Sequence, residues 1–125
     1  PEFDVPGHGT AFLTAYPELG SKNDMTYSLE RYAGIFDPTL DPTNEKTYDF
    51  LDNLFKEVAP LFPDVYFHIG GDENEGKHWS ENQRIQQFMK DNKLRDNHEL
   101  QTYFNIKINF PLLSKYISSI MESDF

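Results

Sequence analysis

The chain has 125 residues, enough for one compact domain, and carries 21 acidic against 11 basic side chains for a formal charge of −10. That balance argues against a nucleic-acid partner, because no surplus of Lys and Arg exists to displace counterions, and it disfavours an anionic membrane surface likewise. The absence of cysteine excludes disulfides and thiolate metal sites, and no apolar run approaches the roughly 18 residues of a membrane span.

In chain order, Glu2-Phe3-Asp4-Val5 reads as the end of a short strand stopped by Pro6-Gly7. Helical spacing follows over Ala11, Phe12 and Ala15 and closes at Pro17 or Gly20. Residues 20–42 make a long polar connection with Gly34, Pro38 and Pro42 as breakers. Loops of this length are usually functional or disordered. The interleaved Tyr27, Leu29, Tyr32, Ile35 and Phe36 predict an ordered loop that covers something. Asp41-Pro42 suits a cap with proline in the first turn. Tyr48, Leu51, Leu54, Phe55 and Val58 then fall on one helical face, ended by Pro60 and Pro63.

Val65-Tyr66-Phe67-His68-Ile69 is apolar, aromatic and β-branched, the composition of a buried strand. Gly70 to Trp79 read as a loop, and Ser80-Glu81-Asn82-Gln83 fits a capping box for a helix burying Ile85, Phe88 and Met89. Asn97 is placed to cap a helix through Leu100, Tyr103, Phe104 and Ile108. A last amphipathic segment carries Leu112, Leu113, Tyr116, Ile117, Ile120 and Met121. Strands separated by helices imply parallel pairing through helical crossovers. Two strands are too few for a self-sufficient sheet. The expected fold class is therefore α/β, with residues 1–125 forming part of a larger domain. A (β/α)8 TIM barrel fits best, because polar residues gather just after the strand ends. The opening Pro1-Glu2-Phe3, without an initiator Met, reads as the interior of a longer protein.

The chemistry concentrates in two places. Gly70-Gly71 lets the backbone leave the strand in a conformation other residues resist, placing Asp72 and Glu73 at the strand's end. Adjacent carboxylates repel, so one should hold its proton more firmly, as a general acid needs; the plain alternative is an acidic loop tip. Asp4-Val5-Pro6-Gly7-His8 repeats the design, with a histidine able to reach a catalytic carboxylate or simply to face solvent. His68, between Phe67 and Ile69, reads as a satisfied core histidine inside the sheet or barrel. Trp79 is either a packing residue or a stacking face for a sugar ring. His8, His68, Asp72, Glu73, Glu75 and His78 are metal-type donors, but their spacing matches no compact metal signature, so no metal and no cofactor are expected.

His68-Ile69-Gly70-Gly71-Asp72-Glu73 resembles the H-x-G-G-D-E signature of family 20 glycoside hydrolases, the β-N-acetylhexosaminidases. Pro1-Glu2-Phe3-Asp4-Val5-Pro6-Gly7-His8 resembles that family's upstream P-E-[IF]-D-x-P-G-H segment. Pro42-Thr43-Asn44-Glu45, Trp79 and Glu99-Leu100-Gln101-Thr102-Tyr103-Phe104 are also similar, so the likeness runs from residue 1 to about 105. The resemblance implies a (β/α)8 barrel whose third and fourth strands end in Asp4 and in Asp72-Glu73. It implies hydrolysis of terminal N-acetylglucosamine or N-acetylgalactosamine by substrate assistance, the 2-acetamido oxygen attacking the anomeric carbon. Glu73 would then be the acid and base, and Asp72 would orient the acetamido group. His8 would contact Glu73, with Asp4, His68 and Trp79 supporting or walling the site.

The family's remaining substrate-binding residues belong to strands before residue 1 and after the last match. Two other readings follow. The isolated chain could be an inactive barrel fragment that self-associates through exposed sheet edges, or a metal-dependent hydrolase. The compartment is left open, and a secreted or extracytoplasmic parent is compatible with the composition.

Overall fold

A computed structural model describes residues 1–64, 66–110, 112, 115 and 116. Among the described residues five α-helices follow in order: α1 Thr10–Ala15, α2 Glu45–Val58, α3 Lys77–Glu81, α4 Gln83–Asp91 and α5 Asn97–Asn109, with short 3-10 turns at Pro17–Leu19 and Ala59–Leu61. The two expected strands lie side by side and parallel. The His68 N–H donates to the Pro1 carbonyl at 2.8 Å, and the Phe3 N–H to the His68 carbonyl at 2.8 Å. Among the described residues this pairing amounts to a single parallel bridge, Glu2 with His68, rather than a full ladder. The next bond shows why. Val5 N–H reaches the Ile69 carbonyl at 2.9 Å, so two residues on one segment match one on the other as the chain turns at Gly70.

Phe67 and Ile69 point from this pair into the main core, where Phe55 of α2 meets Phe67 edge-on at 5.2 Å. The α2 face is as its spacing predicts: Tyr48, Leu51 and Phe55 are buried, with Leu54 and Val58 packed at the margin. The cap positions differ. Asn44, not Asp41, caps α2 by accepting the Lys46 N–H, while Asp41 accepts from Thr43 N–H and hydroxyl in a turn just before it. Neighbouring short polar residues compete for this role, and tertiary contacts choose between them. The same displacement recurs twice. Asn82 caps α4, with Ser80 and Glu81 belonging to α3, so the expected loop already becomes helical at Lys77. Asp96 caps α5 and leaves the Asn97 amide free to donate to the Glu75 and Gly76 carbonyls and Ser80 Oγ. α5 ends at Asn109, one residue past Ile108, the last position of its expected apolar face. Of the last amphipathic segment, Leu113, Ile117, Ile120 and Met121 lie outside the described residues, as does Val65.

The long connection is ordered at its neck. Gly20 and Leu40 pair antiparallel, Ser21 and Thr39 are buried, and Asn82 Nδ2 donates to the Ser21 carbonyl at 2.9 Å. Its aromatic tip covers the body only in part. Tyr27 folds back onto Gly20, and Ile35 and Phe36 border a cleft beside Glu73, whereas Leu29 and Tyr32 (81% exposed) face solvent. Asn82 thus serves two elements, accepting Arg84 and Ile85 N–H groups while tying the loop neck. Asn82→Ala is expected to cost about 2 kcal/mol in chemical denaturation, with Asn82→Asp, which keeps the cap and loses the donor, costing about half.

Candidate active site

Both chemistry-bearing segments end at the same edge of the parallel pair. Asp4 leaves one segment and the Gly70-Gly71 turn leaves the other, with φ of +65° and +101° at the glycines. A Cβ on Gly70 would stand 2.1 Å from Asp4 Oδ1, so the two segments approach this closely only because residue 70 has no side chain. The Gly71 N–H donates to Asp4 Oδ1 at 3.0 Å, which fixes Asp4 against the turn. Burial pushes the Asp4 carboxyl above the usual aspartate range, opposed by the Gly71 N–H and His8.

Beyond the turn, Glu73 and His8 meet: His8 Nε2 lies 2.9 Å from Glu73 Oε2 and 3.9 Å from Asp4 Oδ2. Both residues take positive φ, +49° at His8 and +55° at Glu73, a region side-chain-bearing residues seldom occupy and one that recurs at functional sites. Asp72 and Glu73 are exposed to solvent. Clefts flank Glu73 on two sides, about 140 Å³ against Ile35, Phe36 and Asp37 of the long loop and about 400 Å³ against Asn97, His98 and Gln101. The arrangement places a carboxyl beside an imidazole at an open cleft, the requirement for proton transfer to a bound substrate.

His68 is half-buried on the face opposite Phe67 and Ile69, and its Nδ1 accepts the Gly70 N–H at 3.0 Å. Trp79 changes its reading. Its indole is fully enclosed in α3 against Ile85, Met89 and Leu100, with Nε1–H donating to the Leu40 carbonyl at 3.0 Å. A ring so enclosed packs the base of the loop and offers no face for a sugar. Two residues carry weight that spacing did not reveal. Asn74 Nδ2 donates to Gln101 Oε1 at 3.0 Å, and Gln101 Nε2 to Asn105 Oδ1 at 3.2 Å, so buried amides of α5 brace the loop just after Glu73. The available signal was polar Gln101 and Asn105 at i, i+4 beside the apolar positions of α5. Among the described residues no three His, Asp or Glu side chains converge on a metal position, and no helix is long and apolar enough to cross a membrane.

The family model described as glycosyl hydrolase family 20, catalytic domain, matches residues 1–122. The chain belongs to that family. The likeness therefore runs past residue 105, where the motifs alone lose it, and membership implies a TIM-barrel catalytic domain. The crystal structure of a Flavobacterium johnsoniae chitobiase is 64% identical with a TM-score of 0.87, covering 93% of this chain and 17% of that one. A β-hexosaminidase subunit A2 from Dictyostelium discoideum is 42% identical over 124 residues, 99% of this chain and 21% of the relative. A β-hexosaminidase of Porphyromonas gingivalis is 39% identical over 104 residues, 83% of this chain and 13% of the relative. The chain thus spans about a fifth or less of the length of these relatives.

Proposed function

We propose that this chain supplies the proton-transfer half of the active site of a β-N-acetylhexosaminidase, which releases terminal N-acetylglucosamine or N-acetylgalactosamine from glycans. The observation that carries the reading is the 2.9 Å contact between His8 and Glu73, two motif residues 65 positions apart, in a chain of this family. In this reading Glu73 protonates the glycosidic oxygen and later activates water, and a His8 N–H on its carboxylate tunes how readily it takes the proton. Asp72 orients the substrate's acetamido group and stabilises the positive charge that develops as its oxygen attacks the anomeric carbon. Asp4, His8 and His68 act around Glu73, and the Glu2 and His68 segments are the third and fourth strands of the barrel. The parallel bridge and the common edge at which Asp4 and Asp72 leave it support that placement.

The reading is tested on the complete catalytic domain containing this chain. An aryl β-N-acetylglucosaminide should be hydrolysed at least about 10³-fold faster than the matching β-glucoside, which lacks the internal nucleophile. Asp72→Asn should slow the first substrate about 10²-fold. Equal rates on the two glycosides would overturn substrate assistance.

A further inference from the structure

The Gly70-Gly71 turn is held by two side chains that bind consecutive backbone N–H groups. Asp4 Oδ1 takes that of Gly71 and His68 Nδ1 that of Gly70, each at 3.0 Å. Both stand in for ladder bonds, since among the described residues neither N–H is given to a backbone carbonyl. Gly70 is buried, so without His68 that N–H would lose the partner it has here. The His68 backbone is itself pinned on both sides, by the Pro1 carbonyl and the Phe3 N–H. Its ring closes a local turn of the kind Asp and Asn side chains make two residues ahead of themselves.

A ring nitrogen accepts only through its lone pair, so Nδ1 carries no hydrogen in this bond and the ring proton sits on Nε2. Yet the same Nδ1 lies 3.3 Å from Oε1 of Glu2. A carboxylate gains nothing from a lone pair but makes a strong charge-assisted bond to an N–H. The two partners of Nδ1 therefore demand opposite protonation states. We propose that His68 is a positioning residue for the hydrolytic reaction: its neutral ring clamps Gly70 and so aims Asp72 and Glu73, and a proton on Nδ1 transfers the ring to Glu2 and releases the turn.

This inference rests on the reading of Glu73 as the acid and adds a device that sets where that acid stands. Glu73 follows Gly70 by three residues, and misplacement by about 1 Å costs a reaction about 10²-fold. The other ionisable groups at the turn are Asp4, His8, Asp72 and Glu73. Among the described residues none of these pairs with the His68 ring, whereas Glu2 does.

The test uses the complete catalytic domain with three substitutions and one spectrum. Asn places its side-chain oxygen where Nδ1 stands and accepts without titrating, whereas Gln reaches only to the Nε2 position. His68→Asn should keep kcat within about threefold, while His68→Gln should lose about 10²-fold in kcat with KM little changed. Glu2→Gln should leave kcat at the pH of full activity within about threefold, because the neutral ring bonds Gly70 and draws nothing from Glu2. Histidine-selective 15N spectra of the unsubstituted protein should show Nδ1 unprotonated at the pH of full activity. Equal losses in His68→Asn and His68→Gln, or a proton on Nδ1 in the active protein, would overturn the clamp. The spectrum decides even where a variant fails to fold. If the acetamido preference and the Glu73 response hold while the clamp fails, only this inference falls.

Discussion

Glu73→Gln in the complete catalytic domain is expected to lower kcat/KM about 10²- to 10⁴-fold on a disaccharide, the range general acid catalysis contributes. The size of the loss should depend on the leaving group. A sugar hydroxyl departs only with a proton, whereas a nitrophenolate departs without one, so kcat/KM on a dinitrophenyl glycoside should fall far less. In the proposed mechanism kcat should drop for both substrates, because water attack on the intermediate formed by the acetamido oxygen also needs the Glu73 carboxylate as base. The glutamine keeps the size of the side chain and an oxygen able to accept from His8 Nε2, so denaturation midpoints should stay within experimental error. Leaving-group-independent loss of kcat/KM would remove Glu73 from the acid role. His8 makes the assignment sharper than the acid pair alone could, since it contacts Glu73 at 2.9 Å.

The placement of the two acidic segments was legible because glycine-linked carboxylates mark a strand end, and the two segments share one edge through direct backbone pairing. The apolar face of α2 was legible from its period, since burial against Phe67 imposes that period. Caps were not, because Asp41, Ser80 and Asn97 each lie within three residues of the residue that caps, and only tertiary demands choose between them. Trp79 illustrates a second limit. Composition alone cannot separate an aromatic ring that stacks on a ligand from one that packs, and the Leu40 carbonyl that takes its Nε1–H is 39 residues distant. The braces behind Glu73 were hidden likewise, since an amide on α5 becomes informative only when Asn74 is seen against it. The exposed aromatic tip of the long loop defeated a burial argument for a related reason: Tyr27 has Gly20 to pack on, and Tyr32 has no comparable apolar neighbour within the core cluster.

Gly70→Ala is the substitution expected to damage the fold most. Its Cβ would meet Asp4 Oδ1 at 2.1 Å, Cγ at 2.4 Å and the Asp4 backbone, at its α-carbon, at 2.8 Å. Rotating the Asp4 side chain relieves the first two clashes but breaks its bond to the Gly71 N–H, and the third is with backbone. Holding alanine at φ +65° adds further strain. The combined cost should be about 3–5 kcal/mol, from backbone strain together with overpacking. Gly71→Ala is the control. Its φ of +101° is also unfavourable, but a Cβ there comes no nearer than 3.4 Å to Gln101 Nε2, an ordinary van der Waals contact. It should cost only the backbone part, about 1–3 kcal/mol. Chemical denaturation of the two variants separates strain from collision, because both glycines lie at positive φ and only one has a neighbour in the way. Asp4→Ala on the Gly70→Ala background should recover part of the loss, since the clash with the Asp4 backbone stays. Full recovery would mean that the carboxylate alone keeps residue 70 a glycine, and none would mean that the parallel backbones do.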